Sequence, residues 1–146
     1  MEFYTFKNIV EKVQNEKPLL FKLEHDNIPN QADISEFEQL YHIQLPKKYT
    51  QFLLTYGGGY FGYANIYSFD KNSNLYLLNN NPLPLQKYLS IADNACCDYY
   101  AFYIENGKCS EAVVFYNHDD QKIYTTEFSD ILEYLIKVGL KQQYFS

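Results

Sequence analysis

The feature that most constrains the fold is the stretch of residues 34–62, where two amphipathic helical patterns are separated by a Leu-Pro pair and followed by glycines. Pro46 lacks a backbone N–H and disfavours helical backbone at the residue before it. The pattern therefore predicts one helix that ends near Tyr41 and a second that starts with Pro46 as its first residue. The predicted inward positions are Ile34, Phe37, Leu40 and Tyr41 in the first helix, and Tyr49, Phe52, Leu53 and Tyr56 in the second.

Capping residues predict where these helices begin and end. Asp33 and Glu36 have the spacing of a capping box, which predicts that the first helix begins at this point. Gly57 follows the last apolar position of the second helix and is expected to end it in left-handed backbone geometry.

Gly57, Gly59 and Gly62 also match the spacing of a dinucleotide-binding fingerprint. That motif needs a strand before the glycines and a helix after them, so that the phosphate meets the helix N-terminus. Here the order is reversed, because a helical pattern precedes and the β-like residues 63–69 follow. The context therefore argues against phosphate binding.

The rest of the chain predicts one α+β domain over residues 1–146, with an antiparallel or mixed sheet and helices packed on one side of it. An N-terminal helix is expected around Phe6, Ile9, Val10 and Val13, and a C-terminal helix around Phe128, Ile131, Leu132, Leu135 and Val138. In that last helix Asp130, Glu133 and Lys137 are expected to face solvent, and Gly139 to end it. Strands are predicted at residues 63–69, 99–104, 112–117 and 122–126, with residues 19–23 as an edge strand.

Several of these residues resemble the SUKH superfamily, which includes fungal cell-wall-assembly regulators and bacterial immunity proteins of polymorphic toxin systems. The helical part of the resemblance consists of Glu36, Gln39-Leu40, Leu45-Pro46, Tyr49, Phe52-Leu53 and Gly57-Gly58. The strand that begins Asp98-Tyr99-Tyr100-Ala101-Phe102, the following strand and turn at residues 113–119, and the helix at 128–135 extend it over most of the chain after Ile34. One departure is Cys96-Cys97, which stands where members often have glycines.

The resemblance implies a binding protein without enzymatic activity or cofactor. The leading expectation is an immunity protein that binds and neutralises a cognate toxin, often a nuclease. The alternative is a regulator or scaffold of cell-wall synthesis that acts through protein contacts.

Charge is consistent with a protein partner. The formal net charge is −6 and all 12 basic residues are lysines scattered along the chain, which argues against direct binding of nucleic acid. An acidic surface favours a basic partner, although solubility alone would explain the charge equally well. The 16 tyrosines are typical of a chain with an aromatic core. Tyrosine as a residue type is also enriched at protein interfaces.

The three cysteines do not make a disulfide framework and favour a reducing, cytoplasmic setting. No basic and apolar leader is recognisable at the first residues, and no apolar stretch reaches the length of a membrane span.

Candidate chemistry is weak in this sequence. Cys96, Cys97, Cys109 and His118 could be considered as zinc ligands, but adjacent strand residues point to opposite faces and there is no C-x-x-C. Nucleophilic catalysis would pair Cys97 or Cys109 with His118, but the sequence has no local signature for it. An acid/base pair of Asp98 and Asp119 is an alternative that the sequence leaves open. We therefore expect no catalytic, cofactor or metal residues. An enzyme with a pocket beside residues 57–60 remains a third hypothesis.

The partner is expected to bind at a rim whose members are Gly58, Gly59, Tyr60, Asp98, Tyr99, Tyr100, His118 and Asp119. Asp98 has two interpretations. It either hydrogen-bonds backbone near the glycine turn at residues 57–59, or lines the concave surface that receives the partner.

Overall fold

The computed structural model describes residues 1–143 and confirms the α+β fold class. Three helices precede a meander of six antiparallel strands, which neighbour one another in chain order, and a C-terminal helix follows. The elements are α1 (Phe3–Glu16), α2 (Gln31–Tyr41), α3 (Lys47–Tyr56), β1 (Gly59–Phe61), β2 (Ala64–Ile66), β3 (Tyr88–Asp93), β4 (Tyr99–Glu105), β5 (Lys108–Asn117), β6 (Lys122–Thr125) and α4 (Ile131–Tyr134), which continues as a π-helical turn, Leu135–Gly139. No helix within this described range is long and apolar enough to cross a membrane.

The core lies between the helices and one face of the sheet and is largely aromatic. Phe52 of α3 packs edge-on against Phe61 of β1, with ring centroids 5.2 Å apart, and Phe6 of α1 stacks on the same ring. Tyr49 is fully buried, contacts Phe102 of β4, and donates its hydroxyl to the backbone oxygen of Tyr67 at 3.0 Å. The helical periodicity thus predicted the inward faces of α1 and α3, and the buried phenol has its hydrogen-bond partner.

Helix α2 begins earlier than the sequence predicted. Its capping box is formed by Asn30 and Asp33, whose side chains each accept the other residue's backbone N–H, at 2.8 and 2.9 Å. The predicted box of Asp33 and Glu36 was wrong because an asparagine three residues earlier supplies an equally good acceptor. Pro46 likewise lies just outside α3, as the extended residue that precedes it.

Leu40 was predicted to face inward, but it is 65% exposed. At 3.6 residues per turn, Leu40 lies about 60° beyond Phe37 on the helical wheel. The buried side of α2 is formed by Ile34 and Phe37, and it ends at Phe37, so Leu40 lies beyond it. The predicted edge strand at residues 19–23 was also wrong, because Pro18–Phe21 forms a 3-10 turn.

The sheet contains three strands that were misplaced or missed. Gly59–Phe61 and Ala64–Ile66 form a tight hairpin in place of one strand at residues 63–69. Sequence reasoning assigned no element to β3, although it is a central strand, paired with both β2 and β4. The β4–β5 hairpin was predicted, and its Asn106-Gly107 turn is shorter than the expected connection at residues 105–111.

The C-terminal helix buries two carboxylates that were predicted to face solvent. Asp130 and Glu133 are 2% and 3% exposed. Asp130 caps α4 by accepting the backbone N–H of Glu133 at 2.9 Å, and it also accepts from the amino group of Met1 and from Lys48. The prediction for Asp130 was wrong because Met1 and Lys48 come from distant parts of the chain, whereas Glu133 accepts the backbone N–H of Ser129, four residues away, at 2.7 Å. Gly139 is the last residue of the π-helical turn, whereas the sequence predicted it as the residue that follows a regular helix.

Candidate partner-binding surface

The strand register places one row of side chains across the whole sheet. Directly opposite residues pair from strand to strand, and such partners lie on the same face. We call this set the tyrosine row; its members are Tyr60, Asn65, Asp93, Tyr99, Tyr116 and Ile123. Tyr60 is 47% exposed and the other members are half-buried. Five strand spacings separate the ends of the row, which is about 24 Å.

The neighbouring row faces the helices. It runs through Ile66 and Ala92, which are fully buried, and through Tyr100, whose ring lies 4.6 Å from that of Tyr134 at the end of α4. Since consecutive strand residues alternate between faces, the tyrosine row lies on the side away from the helices. Tyr99 and Tyr100 of the expected rim are therefore on opposite faces of the sheet.

Asp93, Tyr99 and Tyr116 of the row form a small polar and aromatic group with the buried Tyr67, which lies outside the row. The carboxylate of Asp93 accepts the hydroxyl of Tyr67 at 2.7 Å, and the rings of Tyr99 and Tyr116 lie 6.4 Å apart. Burial raises the pKa of Tyr99, and the negative charge of Asp93 raises it further. The Tyr99 hydroxyl thus stays protonated at neutral pH and can donate a hydrogen bond.

Beside the row, one residue before Tyr99, Asp98 and His118 join the start of β4 to the turn after β5. The Asp98 carboxylate accepts the backbone N–H of His118 at 3.0 Å and contacts the ring nitrogen Nδ1 at 2.7 Å. Asn94 donates to the other carboxylate oxygen, and Asp119 lies 3.1 Å from Nε2 of His118. Asp98, His118 and Asp119 are thus brought together as expected, and Tyr99 follows directly in β4.

These contacts shift both pKa values of the ion pair. The backbone N–H of His118, its ring and Asn94 lower the pKa of Asp98 to about 2. The hydrogen bond to Asp98 raises the pKa of His118 above its ordinary 6.5. The bonded imidazolium therefore stabilises the turn below pH 6.5, and this contribution is lost as the pH rises through the folded-state pKa.

The histidine shift gives a testable prediction. Titration of the His118 ring protons by NMR is expected to give a midpoint above 6.5. Asp98→Asn removes the main cause and should return the midpoint towards 6.5, whereas Asp119→Asn should lower it less, since Asp119 is 83% exposed. An unchanged midpoint in Asp98→Asn would contradict the assigned cause.

The glycines of the expected rim lie elsewhere. Gly58 and Gly59 are buried at the start of β1, and the backbone N–H of Asp26 donates to the Gly58 oxygen at 3.0 Å. Tyr60 is three strand spacings, about 14 Å, from Tyr99 in the same row. The interpretation that Asp98 bonds the glycine turn is wrong, because Asp26 occupies that position. No local sequence signal links Asp26 to the glycines.

Cys109 is not placed to act as a nucleophile with His118. Burial raises the pKa of Cys109 to about 12, so its thiolate does not form near neutral pH. Cys109 and His118 are nine residues apart along β5 and its turn, which is on the order of 25–30 Å. Cys97 is exposed and adopts φ +70°, a left-handed backbone conformation that favours glycine. Over residues 1–143, no three His, Cys, Asp or Glu side chains converge as metal ligands would.

Comparison with known proteins identifies the family. The family model described as SMI1-KNR4 cell-wall, a SUKH model, matches residues 31–135. The chain belongs to the SUKH family. The match begins at α2 and ends at the junction of α4 with the π-helical turn, so it includes the helix pair and the whole sheet of this SUKH domain.

A solved structure supports the fold of the SUKH domain. A crystal structure of a protein from Pseudomonas syringae pv. tomato superposes with a TM-score of 0.64, at 18% identity, over 93% of this chain and 99% of that chain. At this identity the likeness concerns the fold alone. No curated protein matches the sequence.

Proposed function

We propose that this SUKH protein is an immunity protein, which binds a cognate toxin and neutralises it without performing chemistry. The observation that carries the proposal is the tyrosine row, which presents three tyrosines on the side of the sheet away from the helices. Family membership and the acidic charge support it. A toxin domain, often a nuclease, is expected to be basic and therefore complementary to this surface.

The size of the surface suits a protein partner. A standard interface covers roughly 800 Å² on each side, which corresponds to a patch about 28 Å wide. The tyrosine row extends about 24 Å across the sheet. Tyrosine rings bind with little loss of conformational entropy and accept stacked guanidinium groups, which a basic partner supplies.

The acidic groups near the row add specificity. Asp93 lies within it, Asp119 and Asp120 lie beside it in the β5–β6 turn, and Asp98 accepts a hydrogen bond from that turn. Positive groups of the partner would meet these carboxylates, and the encounter would be faster at low ionic strength.

The experiment measures binding to the protein encoded by the adjacent gene. Isothermal titration calorimetry is expected to detect tight binding, and Tyr99→Ala and Tyr116→Ala should each weaken it at least about 30-fold, because central aromatic residues dominate interface energetics. Tyr4→Ala is the matched control, since Tyr4 lies on α1 and is 77% exposed. Thermal unfolding of each variant checks that the fold is intact.

Two outcomes would contradict the proposal in different ways. If the neighbouring protein does not associate and its toxicity persists in co-expression, the immunity function is wrong. If it binds with equal affinity to the tyrosine variants and to Tyr4→Ala, the toxin contacts another surface.

The description of the matching family favours one alternative, a regulator of cell-wall synthesis. Such a protein would use the same sheet face to contact several clients. Genomic neighbourhood separates the two hypotheses, because an adjacent large toxin gene is expected only for an immunity protein.

A further inference from the structure

A second candidate surface is a groove between α2 and the segment after β2. It has a volume of about 400 Å³ and shares no residue with the tyrosine row. Its apolar lining includes Phe37 of α2 and Phe69, whose rings lie 5.1 Å apart, and Leu77, which is fully buried. The groove therefore has a preformed aromatic and aliphatic floor.

Two large apolar side chains on the groove remain exposed to solvent. Leu40 is 65% exposed and Ile28 is 48% exposed, and both line the groove. Leu40 lies on α2 next to the buried side of the helix, which is formed by Ile34 and Phe37. An apolar side chain from a partner, placed in the groove, would cover both and remove their apolar surface from water.

The charges that line the groove are mainly negative. Asp33, Glu36 and Asp70 supply three carboxylates against the single ammonium of Lys71. Backbone N–H groups hold two of them in place: Asn30 donates to Asp33 at 2.9 Å and Asn27 donates to Asp70 at 3.1 Å. The groove thus combines an apolar floor with fixed negative charge, on a chain whose net charge is −6.

We propose that this groove binds a lysine- or arginine-rich segment of a partner protein, with one aliphatic or aromatic side chain anchored against Phe37 and Leu40. The flanking basic residues pair with Glu36 and Asp70. Charge complementarity selects this occupant, because the same carboxylates repel acidic peptides and nucleic acid. The proposal does not require the partner to be a toxin, and it concerns a surface separate from the tyrosine row.

The first test uses short fluorescein-labelled peptides and the full-length protein. A peptide that alternates lysine and leucine is expected to bind, as measured by fluorescence anisotropy. Matched peptides with serine in place of leucine, or glutamate in place of lysine, are expected to bind at least about tenfold more weakly, since each lacks one half of the complementarity. Amide chemical shifts of the isotope-labelled protein should change in α2 and in residues 69–78.

Variants then locate the site. Leu40→Gln and Glu36→Gln are expected to weaken the lysine-leucine peptide about fivefold each, because one removes apolar contact and the other a carboxylate. Leu19→Gln and Glu16→Gln are the matched controls, since both residues are exposed and lie outside the groove. The controls should bind like the unchanged protein.

The proposal is overturned if the three peptides bind equally, if the shift changes fall outside the groove, or if the groove variants bind as well as their controls. All four substitutions are at exposed positions, so thermal unfolding should be unchanged and a loss of binding would not reflect misfolding.

Discussion

Replacing Asp130 with asparagine is expected to lower the free energy of unfolding by about 3–5 kcal/mol. The Asp130 carboxylate is 2% exposed and lies 2.7 Å from the amino group of Met1 and 2.8 Å from Nζ of Lys48. Asparagine keeps the shape and caps helices well, so the variant isolates the charge. The substitution leaves two positive groups without their buried counterion. Removing one partner of a buried ion pair destabilises a protein more than replacing both partners.

The pH dependence of the same site follows from the direction of its pKa shift. Burial alone raises the pKa of Asp130, but hydrogen bonds from Lys48, the amino group of Met1 and the backbone N–H of Glu133 outweigh it, and the net pKa is lowered. The carboxylate therefore adds stability above its ordinary pKa of 3.8, and this is lost as the pH falls through the folded-state value.

Urea unfolding at neutral and acid pH measures both effects. In Asp130→Asn, the free energy of unfolding should decrease less between neutral and acid pH than in the unchanged protein. Glu16→Gln, which exchanges an exposed carboxylate for an amide, should leave this decrease unchanged. Lys48→Met combined with Asp130→Asn should show a coupling energy of about 1–3 kcal/mol. A loss below about 1 kcal/mol in Asp130→Asn would contradict a structural role for this ion pair.

Gly62→Ala is expected to cost about 3 kcal/mol or more, because it combines backbone strain with a clash. Gly62 lies between β1 and β2 at φ +59°, and an added Cβ would lie 2.2 Å from the backbone oxygen of Gly139. That oxygen accepts the N–H of Tyr63 at 2.8 Å, so the clash would separate the hairpin from the π-helical turn.

Two further variants distinguish the causes at Gly62. Asparagine tolerates positive φ, so Gly62→Asn should be within about 1 kcal/mol of Gly62→Ala if the clash dominates. Tyr63→Ala changes the neighbouring turn residue, which is 63% exposed, and should cost little. Thermal and urea unfolding provide the measurement. A Gly62→Ala protein as stable as Tyr63→Ala would show that the turn accommodates a side chain.

Some features of the binding surface could be derived from the sequence and others could not. Asp98 and His118 are 20 residues apart, and the β4–β5 hairpin was predicted, so their approach follows from pairing those strands. Strand alternation could also have separated Tyr99 from Tyr100. The distance from Tyr60 to Tyr99 could not be derived, because it depends on β3, which separates β2 from β4 and was not predicted.

Strand β3 escaped prediction for a physical reason. Four consecutive residues, from Leu89 to Ala92, are buried, so the strand lacks the alternation that identifies a half-exposed strand. The groove beside α2 was missed similarly, because its second wall comes from residues 69–78, whose position no helical or strand pattern specifies.

The sequence by itself determined the family, the helix pair around Pro46, the β4–β5 hairpin and the α+β class, because each depends on local periodicity, proline and turn chemistry, or a recognisable motif. Only the tertiary structure decided that Asp130 is buried, that Asp26 meets the glycines and that Leu40 lines a groove. Each of these depends on contacts between residues far apart in the chain. The local sequence around a residue does not specify which distant residue it will contact.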